Sequence, residues 1–100
     1  MMMMTLEDRL TEDRRLVMLR VLDEAPGCSA NESILQDILV DFGHRVSRDY
    51  VKTQMHWLRE QGLIRLESVR DYLIATIAAR GSEAVKGYVV VPGVKRPTPK

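Results

Sequence analysis

The sequence predicts a small, mainly helical α+β fold, and three observations lead to that prediction. Several segments carry apolar residues at helical spacing. A later segment alternates apolar and polar residues, as a half-buried strand does. The 100 residues, 45% of them hydrophobic, suffice for one modest core. We therefore expect one domain over residues 1–87, with residues 1–4 frayed, and an extended, basic, proline-containing tail over residues 88–100.

The first helix is expected to begin at Thr5, which can form a capping box with Asp8, and to end before Ala25-Pro26-Gly27. Between residues 16 and 22 its only polar residue is Arg20. Either helices of the same chain cover this apolar excess, or two copies pair through it in a symmetric homodimer. The candidate residues for such a dimer interface are Leu16, Met18 and Leu19.

Two further helices are predicted in the middle of the chain. Ser29 and Glu32 have capping-box spacing, so the second helix should begin near residue 30 or 31 and end at Gly43. Ser47 is the expected N-cap of the third helix, which Gly62 should terminate. The third helix has a buried stripe at i, i+4 and i+7, formed by Val51, Met55 and Leu58.

A hairpin should follow the third helix. Residues 63–67 alternate apolar and polar side chains, Arg70-Asp71 suits a turn, and residues 72–77 form a strand rich in β-branched residues. A short helix is then expected over residues 78–86, closed by Gly87. This order predicts a helix-turn-helix that continues into a hairpin.

The third helix, at about residues 48–60, offers hydrogen-bonding and cationic groups opposite its buried stripe, so it could lie in a major groove of DNA. Arg45, Arg48 and Lys52 are the leading candidates for contact with phosphate or a guanine edge. A solvated helix surface is the alternative for each residue, most of all for His56. The full set of candidates is Arg45, Ser47, Arg48, Asp49, Lys52, Thr53 and His56, with Arg70 in the hairpin turn.

The segments SRDYVKTQMHWLREQGLIRL and ATIAARGSEAVKG resemble the recognition helix and the step after the hairpin in winged helix-turn-helix regulators of prokaryotes. The resemblance covers residues 14–87 and implies three helices, a short two-stranded wing and a short C-terminal helix. It also implies a transcriptional regulator that binds double-stranded DNA. The segments APGCSANESILQDIL and VPGVKRPTPK are similar to small winged-helix proteins of Mu-like phages and prophages.

The charge is unevenly distributed along the chain. The net charge is only +1, which argues against strong non-specific binding of DNA. Residues 1–43 carry four basic and nine acidic side chains, a net charge of −5, whereas residues 44–100 carry eleven and five, a net charge of +6. The cationic half contains the expected recognition helix, as a DNA-binding surface requires, although chance alone can produce such an asymmetry.

The sequence lacks the residues that an enzyme or a metal-binding protein requires. No nucleophile with an activating base, carboxylate pair or phosphate-binding glycine loop has the required context, so we expect neither an enzyme nor a cofactor. Asp37, Asp41 and His44 approach metal-ligand spacing, but a solvated helix edge explains them better and we expect no metal. The lone Cys28 and the absence of a basic leader before the Met1–Met4 run predict a cytoplasmic protein that does not enter a membrane.

Two functions remain open from the sequence. The first is a sequence-specific DNA-binding protein, a phage or prophage transcriptional regulator that acts as a homodimer. The second is a winged-helix module that binds another phage protein during assembly or DNA packaging. The polar, cationic third helix favours the first function, and the near-neutral total charge favours the second.

Overall fold

A computed structural model describes residues 3–98 of the chain. The helices and strands follow in the order α1 (Leu6–Glu24), β1 (Ser29–Asn31), α2 (Glu32–Asp41), α3 (Arg48–Glu60), β2 (Ile64–Val69), β3 (Tyr72–Ile77) and α4 (Ala79–Val85). A 3-10 turn over Pro26–Cys28 joins α1 to β1. Met3 and Met4 precede α1 and are exposed, whereas Met1 and Met2 of the expected frayed run lie outside the described residues.

The three strands form one antiparallel sheet in the order β1-β3-β2. The hairpin register pairs Ile64 with Ile77 and Val69 with Tyr72, and the turn between the strands has Arg70 at a φ of 57°. The predicted hairpin and its turn are therefore confirmed. Strand β1 was not predicted, and it pairs with β3 on the side opposite to β2.

The predicted capping box at the start of α2 is wrong. Ser29 lies in β1, where it is paired with Thr76 and its hydroxyl oxygen accepts a hydrogen bond from the Thr76 hydroxyl at 3.2 Å. The N-cap of α2 is Asn31, whose side-chain oxygen accepts a hydrogen bond from the backbone N–H of Ile34 at 2.9 Å. Because residues 29–31 pair in the sheet, α2 begins at Glu32, and the Glu32 side chain does not form a capping box with Ser29.

The capping box of α1 is confirmed, since the Thr5 hydroxyl oxygen accepts a hydrogen bond from the backbone N–H of Asp8 at 3.0 Å and the Asp8 carboxylate accepts one from the backbone N–H of Thr5 at 3.1 Å. The dimer interface that was expected on α1 is not confirmed, because its candidate residues are buried within one chain. Leu19 is 0% exposed, and its two companions are as deeply buried. Helices α2 and α4 and the sheet pack against α1 within one chain. The apolar excess is therefore core, and it needs no second copy. The residues concerned are Leu16, Met18 and Leu19.

The tail packs across α1, and as far as residue 98 it adds no strand to the sheet. Val91 and Val94 are buried in the hydrophobic core. The backbone N–H of Lys95 donates to the carbonyl oxygen of Glu12 at 3.2 Å, and the Arg15 guanidinium donates to the carbonyl oxygen of Gly93 at 3.0 Å. These contacts fix the tail as far as residue 95 against the side of α1 that the sheet leaves open.

Gly81 lets α4 approach the strand that follows α3. A Cβ atom at this position would lie 2.2 Å from the carbonyl oxygen of Leu63, which is far inside van der Waals contact. The same carbonyl accepts a hydrogen bond from the backbone N–H of Ala78 at 2.9 Å, so it cannot move away without loss of that bond. This close approach is the physical reason why residue 81 is a glycine.

His44 is buried against α1, whereas Asp37 and Asp41, which precede it at metal-ligand spacing, are exposed on α2. Its Nδ1 accepts a hydrogen bond from the Arg14 guanidinium at 3.2 Å, and its Nε2 lies 2.7 Å from a carboxylate oxygen of Asp13. Because the guanidinium can only donate, Nδ1 is unprotonated and Nε2 carries the hydrogen that is donated to Asp13. Both ring nitrogens therefore serve the contact of α1 with the α2–α3 loop.

Lowering the pH should weaken the fold through Asp13. Burial alone would raise the pKa of Asp13, but the hydrogen bond with His44 and the charge of Lys95 outweigh burial and hold that pKa below its ordinary value of 3.8. The ionised carboxylate therefore contributes stability that is lost as the pH falls through the lowered pKa.

We expect the Asp13→Asn variant to be less stable than the natural chain at about pH 5, with the difference shrinking towards about pH 2.5. Urea titrations followed by circular dichroism at several pH values measure it. A difference that is constant over this range would contradict the role of the Asp13 charge.

None of the helices among residues 3–98 is long and apolar enough to cross a membrane. The expected cytoplasmic location stays a prediction.

Candidate nucleic-acid interface

Helix α3 is held by its cap and its buried stripe, as predicted. The Ser47 hydroxyl oxygen accepts a hydrogen bond from the backbone N–H of Tyr50 at 3.0 Å. The stripe residues Val51, Met55 and Leu58 are fully buried in the core. The opposite side of the helix is solvent-exposed and carries four polar side chains: Asp49, Thr53, His56 and Glu60.

An open groove of about 410 Å³ separates α3 from the β2–β3 turn. Lys52 and His56 line it from the helix, and Arg70 and Asp71 line it from the turn. The fold thus brings three of the predicted residues, Lys52, His56 and Arg70, to one concave surface, although they come from segments of the chain that are not adjacent. We call this surface the α3–hairpin groove.

The exposed side of α3 is not uniformly cationic. Asp49 and Glu60 lie on its outermost line together with His56, at helical spacings of seven and four residues. Lys52 lines the groove from the helix, and Arg70 lines it from the hairpin turn. Cationic groups therefore border the groove, while the outermost surface mixes both signs of charge.

Arg48 does not have the free position that the sequence suggested. Its guanidinium lies 3.0 Å from a carboxylate oxygen of Glu32 and donates to the carbonyl oxygen of Asp71 at 3.3 Å. It also lies 5.0 Å from the centroid of the Tyr72 ring. The Arg48 side chain is 43% exposed, but these partners come from α2 and the hairpin. Arg48 therefore links α3 to α2 and to the hairpin, and its contact with DNA stays a prediction.

Glu32 is the residue whose role the sequence analysis missed. Its side chain is 0% exposed, and its carboxylate accepts hydrogen bonds from Arg48 and from the backbone N–H of Leu73. A buried carboxylate needs such partners, since an unpaired charge in the core is costly. Its partners follow it by 16 and 41 residues, so no local pattern could have indicated them.

The comparisons with known proteins identify a phage family. The chain is 50% identical over 95 residues to an uncharacterized protein, gp26, of Escherichia phage Mu, and the match covers 95% of this chain and 98% of the relative. The chain belongs to the gp26 family of phage Mu. An uncharacterized protein of Haemophilus influenzae is also 50% identical, over 78 residues that make up 77% of this chain and 76% of that protein. No protein-family model matches the chain.

The relationship to phage Mu supports the expected phage origin of this gp26-family chain. Its remaining candidate residues are placed as follows. Arg45 is exposed in the α2–α3 loop, and Thr53 donates its hydroxyl to the carbonyl oxygen of Asp49 at 3.1 Å. Arg45, Asp49 and Thr53 all lie outside the lining of the α3–hairpin groove.

The two aromatic residues of α3 are half-buried and contact arginine side chains of α1. Trp57 is half-buried, and the Arg15 guanidinium lies over its ring at 3.6 Å from the centroid. The Tyr50 hydroxyl accepts a hydrogen bond from Arg14 at 3.2 Å. Trp57 therefore packs against α1.

Proposed function

We propose that this gp26-family chain is a sequence-specific double-stranded DNA-binding protein that acts as a transcriptional regulator and reads the major groove with α3. The observation that carries the proposal is the α3–hairpin groove, in which Lys52, His56 and Arg70 come together beside an exposed helix. A helix and an adjacent turn that both present cations fit one DNA groove and the phosphates along it.

The order of the elements supports the proposal. One helix, one short strand, two helices and a hairpin follow one another, and the sheet order is β1-β3-β2. We propose that this order is a winged helix-turn-helix, with α3 as the recognition helix and the β2–β3 hairpin as the wing. Since the wing turn is only two residues long, we assign Arg70 to a phosphate next to the major groove rather than to the minor groove.

The roles of the single residues follow from their positions. Lys52 and Arg70 border the groove and Arg45 is exposed before α3, so we assign these three cations to phosphates. Thr53 and His56 are exposed further along the helix and are the candidates for contact with base edges. Because Leu16, Met18 and Leu19 are core residues, we propose that a single chain binds the DNA.

Removal of a groove cation should weaken the binding of DNA without unfolding the protein. We expect Lys52→Ala and Arg70→Ala each to lower the affinity for pooled random-sequence duplex DNA and to reduce the slope of log affinity against log salt by about one unit. Fluorescence anisotropy with a labelled duplex at several salt concentrations measures both quantities. Lys86→Ala, an exposed cation at the end of α4, is the matched control and should change neither.

An absence of binding at low salt, or a loss of the same size in Lys86→Ala, would contradict the proposal.

The alternative function is a winged-helix module that binds another phage protein in assembly or DNA packaging. The observation that favours it is the total charge of +1, which is small for a protein that binds DNA through phosphate contacts.

A further inference from the structure

A second groove, of about 960 Å³, lies between α1 and the β1–α2 segment. Its lining is largely apolar and shares no residue with the α3–hairpin groove. We call it the α1–α2 groove. The apolar residues of its lining include Val17, Val21, Ala30, Ile34, Ile38 and Phe42.

Two large apolar side chains of this groove are exposed to solvent. Ile34 is 48% exposed, and Phe42, the only phenylalanine of the chain, is 64% exposed at the C-cap of α2. They lie eight residues apart on the same side of the helix, with the half-buried Ile38 between them. A contiguous apolar strip of this kind, bordered by polar groups, is typical of a protein-binding surface.

The border of the α1–α2 groove is acidic. Asp37 and Asp41 each follow a lining isoleucine of α2 by three residues, and both are exposed. Glu24 lines the groove from α1, and so does Asp13, whose carboxylate is already paired with His44 and Lys95. Arg20 is the one basic residue of the lining among residues 3–98. Helix α2 itself contains no basic residue. The occupant that complements this border has apolar side chains for the floor and cationic side chains for the edge.

A second copy of the chain does not have that chemistry at this surface. Symmetric pairing through the α1–α2 groove would set Asp37 and Asp41 of one copy near the same residues of the other, and like charges brought together at an interface oppose association. We propose instead that the α1–α2 groove binds a basic amphipathic helix of a partner protein, which lays apolar anchors against Ile34 and Phe42 and cations against the acidic border.

Two synthetic peptides provide the test. Both are amphipathic helices of about 16 residues, or about 24 Å, with the same leucine side, and they differ only in lysine or glutamate at the flanking positions. Isothermal titration calorimetry against the full chain should show binding of the lysine peptide. The glutamate peptide should bind at least about tenfold more weakly, because it meets like charges.

Variants on α2 locate the binding site. Ile34→Ser and Phe42→Ser should each weaken binding of the lysine peptide by about tenfold, as expected on loss of an anchor residue. Val40→Ser is the matched control, since Val40 is 44% exposed on the same helix but does not line the groove, and its affinity should stay within about twofold. Circular dichroism checks that each variant is folded.

Equal affinity for the two peptides, or an equal loss in Val40→Ser, would overturn the proposal. Sedimentation that shows self-association of the natural chain, abolished by Ile34→Ser, would also overturn it in favour of a second copy. Failure of the DNA-binding proposal leaves this inference standing, because none of these variants changes Lys52 or Arg70.

Discussion

Replacement of Arg48 by alanine is expected to lower the free energy of unfolding by about 2–3 kcal/mol. The change leaves the carboxylate of Glu32, which is 0% exposed, with the backbone N–H of Leu73 as its remaining donor. It also removes the contact of the guanidinium with the carbonyl oxygen of Asp71. The loss should be smaller than for a fully buried pair because the Arg48 side chain is 43% exposed.

Urea unfolding followed by circular dichroism measures this effect. Lys52→Ala, one turn further along α3, is the matched control and should change the free energy of unfolding by no more than about 0.5 kcal/mol. Arg48→Lys should lie between the two, since lysine keeps the charge but cannot contact three groups with a planar guanidinium. A loss in Arg48→Ala as small as the loss in Lys52→Ala would show that α3 does not depend on the pair with Glu32.

Leu19→Glu is expected to unfold the protein. Leu19 is 0% exposed within one chain, so the new carboxylate would be buried in the core without a designed partner. The cost, including the lost apolar contacts, is of the order of 5 kcal/mol, which is comparable with the total stability of a small domain. Thermal unfolding by circular dichroism should therefore show no cooperative transition.

Leu6→Glu is the control for this experiment. Leu6 lies in the first turn of the same helix and is 72% exposed, and an acidic residue near a helix N-terminus is favourable. This variant should unfold cooperatively at a temperature close to that of the natural chain. If Leu19→Glu gave a folded monomer from a larger natural species, Leu19 would be an interface residue and the packing of α1 described above would be wrong.

The sequence predicted those parts of the fold that depend on local signals. Ser47 caps α3 as expected, Gly43 and Gly62 end their helices with φ of 86° and 75°, and the second strand of the hairpin has its predicted bounds. The three residues of β1 are too few to show alternation, and their strand depends on pairing with Thr76 and its neighbours, 47 residues later. A local pattern cannot indicate such a partner.

The candidate site was predicted less completely. Periodicity indicated which side of α3 is apolar, and Lys52 and His56, which it placed on the other side, both line the groove. It could not distinguish a free cation from one with a distant buried partner, so the pairing of Arg48 with Glu32 was not predicted. For the same reason the apolar residues around Leu19 looked unpaired, although α2, α4 and the sheet pack against α1.

The central claim is that the α3–hairpin groove is the DNA-contacting surface, and nuclear magnetic resonance tests it most directly. Titration of the ¹⁵N-labelled chain with pooled random-sequence duplex DNA should shift the backbone amide signals of Arg45, Lys52, His56 and Arg70 and leave those of Ile34 and Phe42 unchanged. An absence of shifts at low salt, or shifts confined to the α1–α2 groove, would contradict the account.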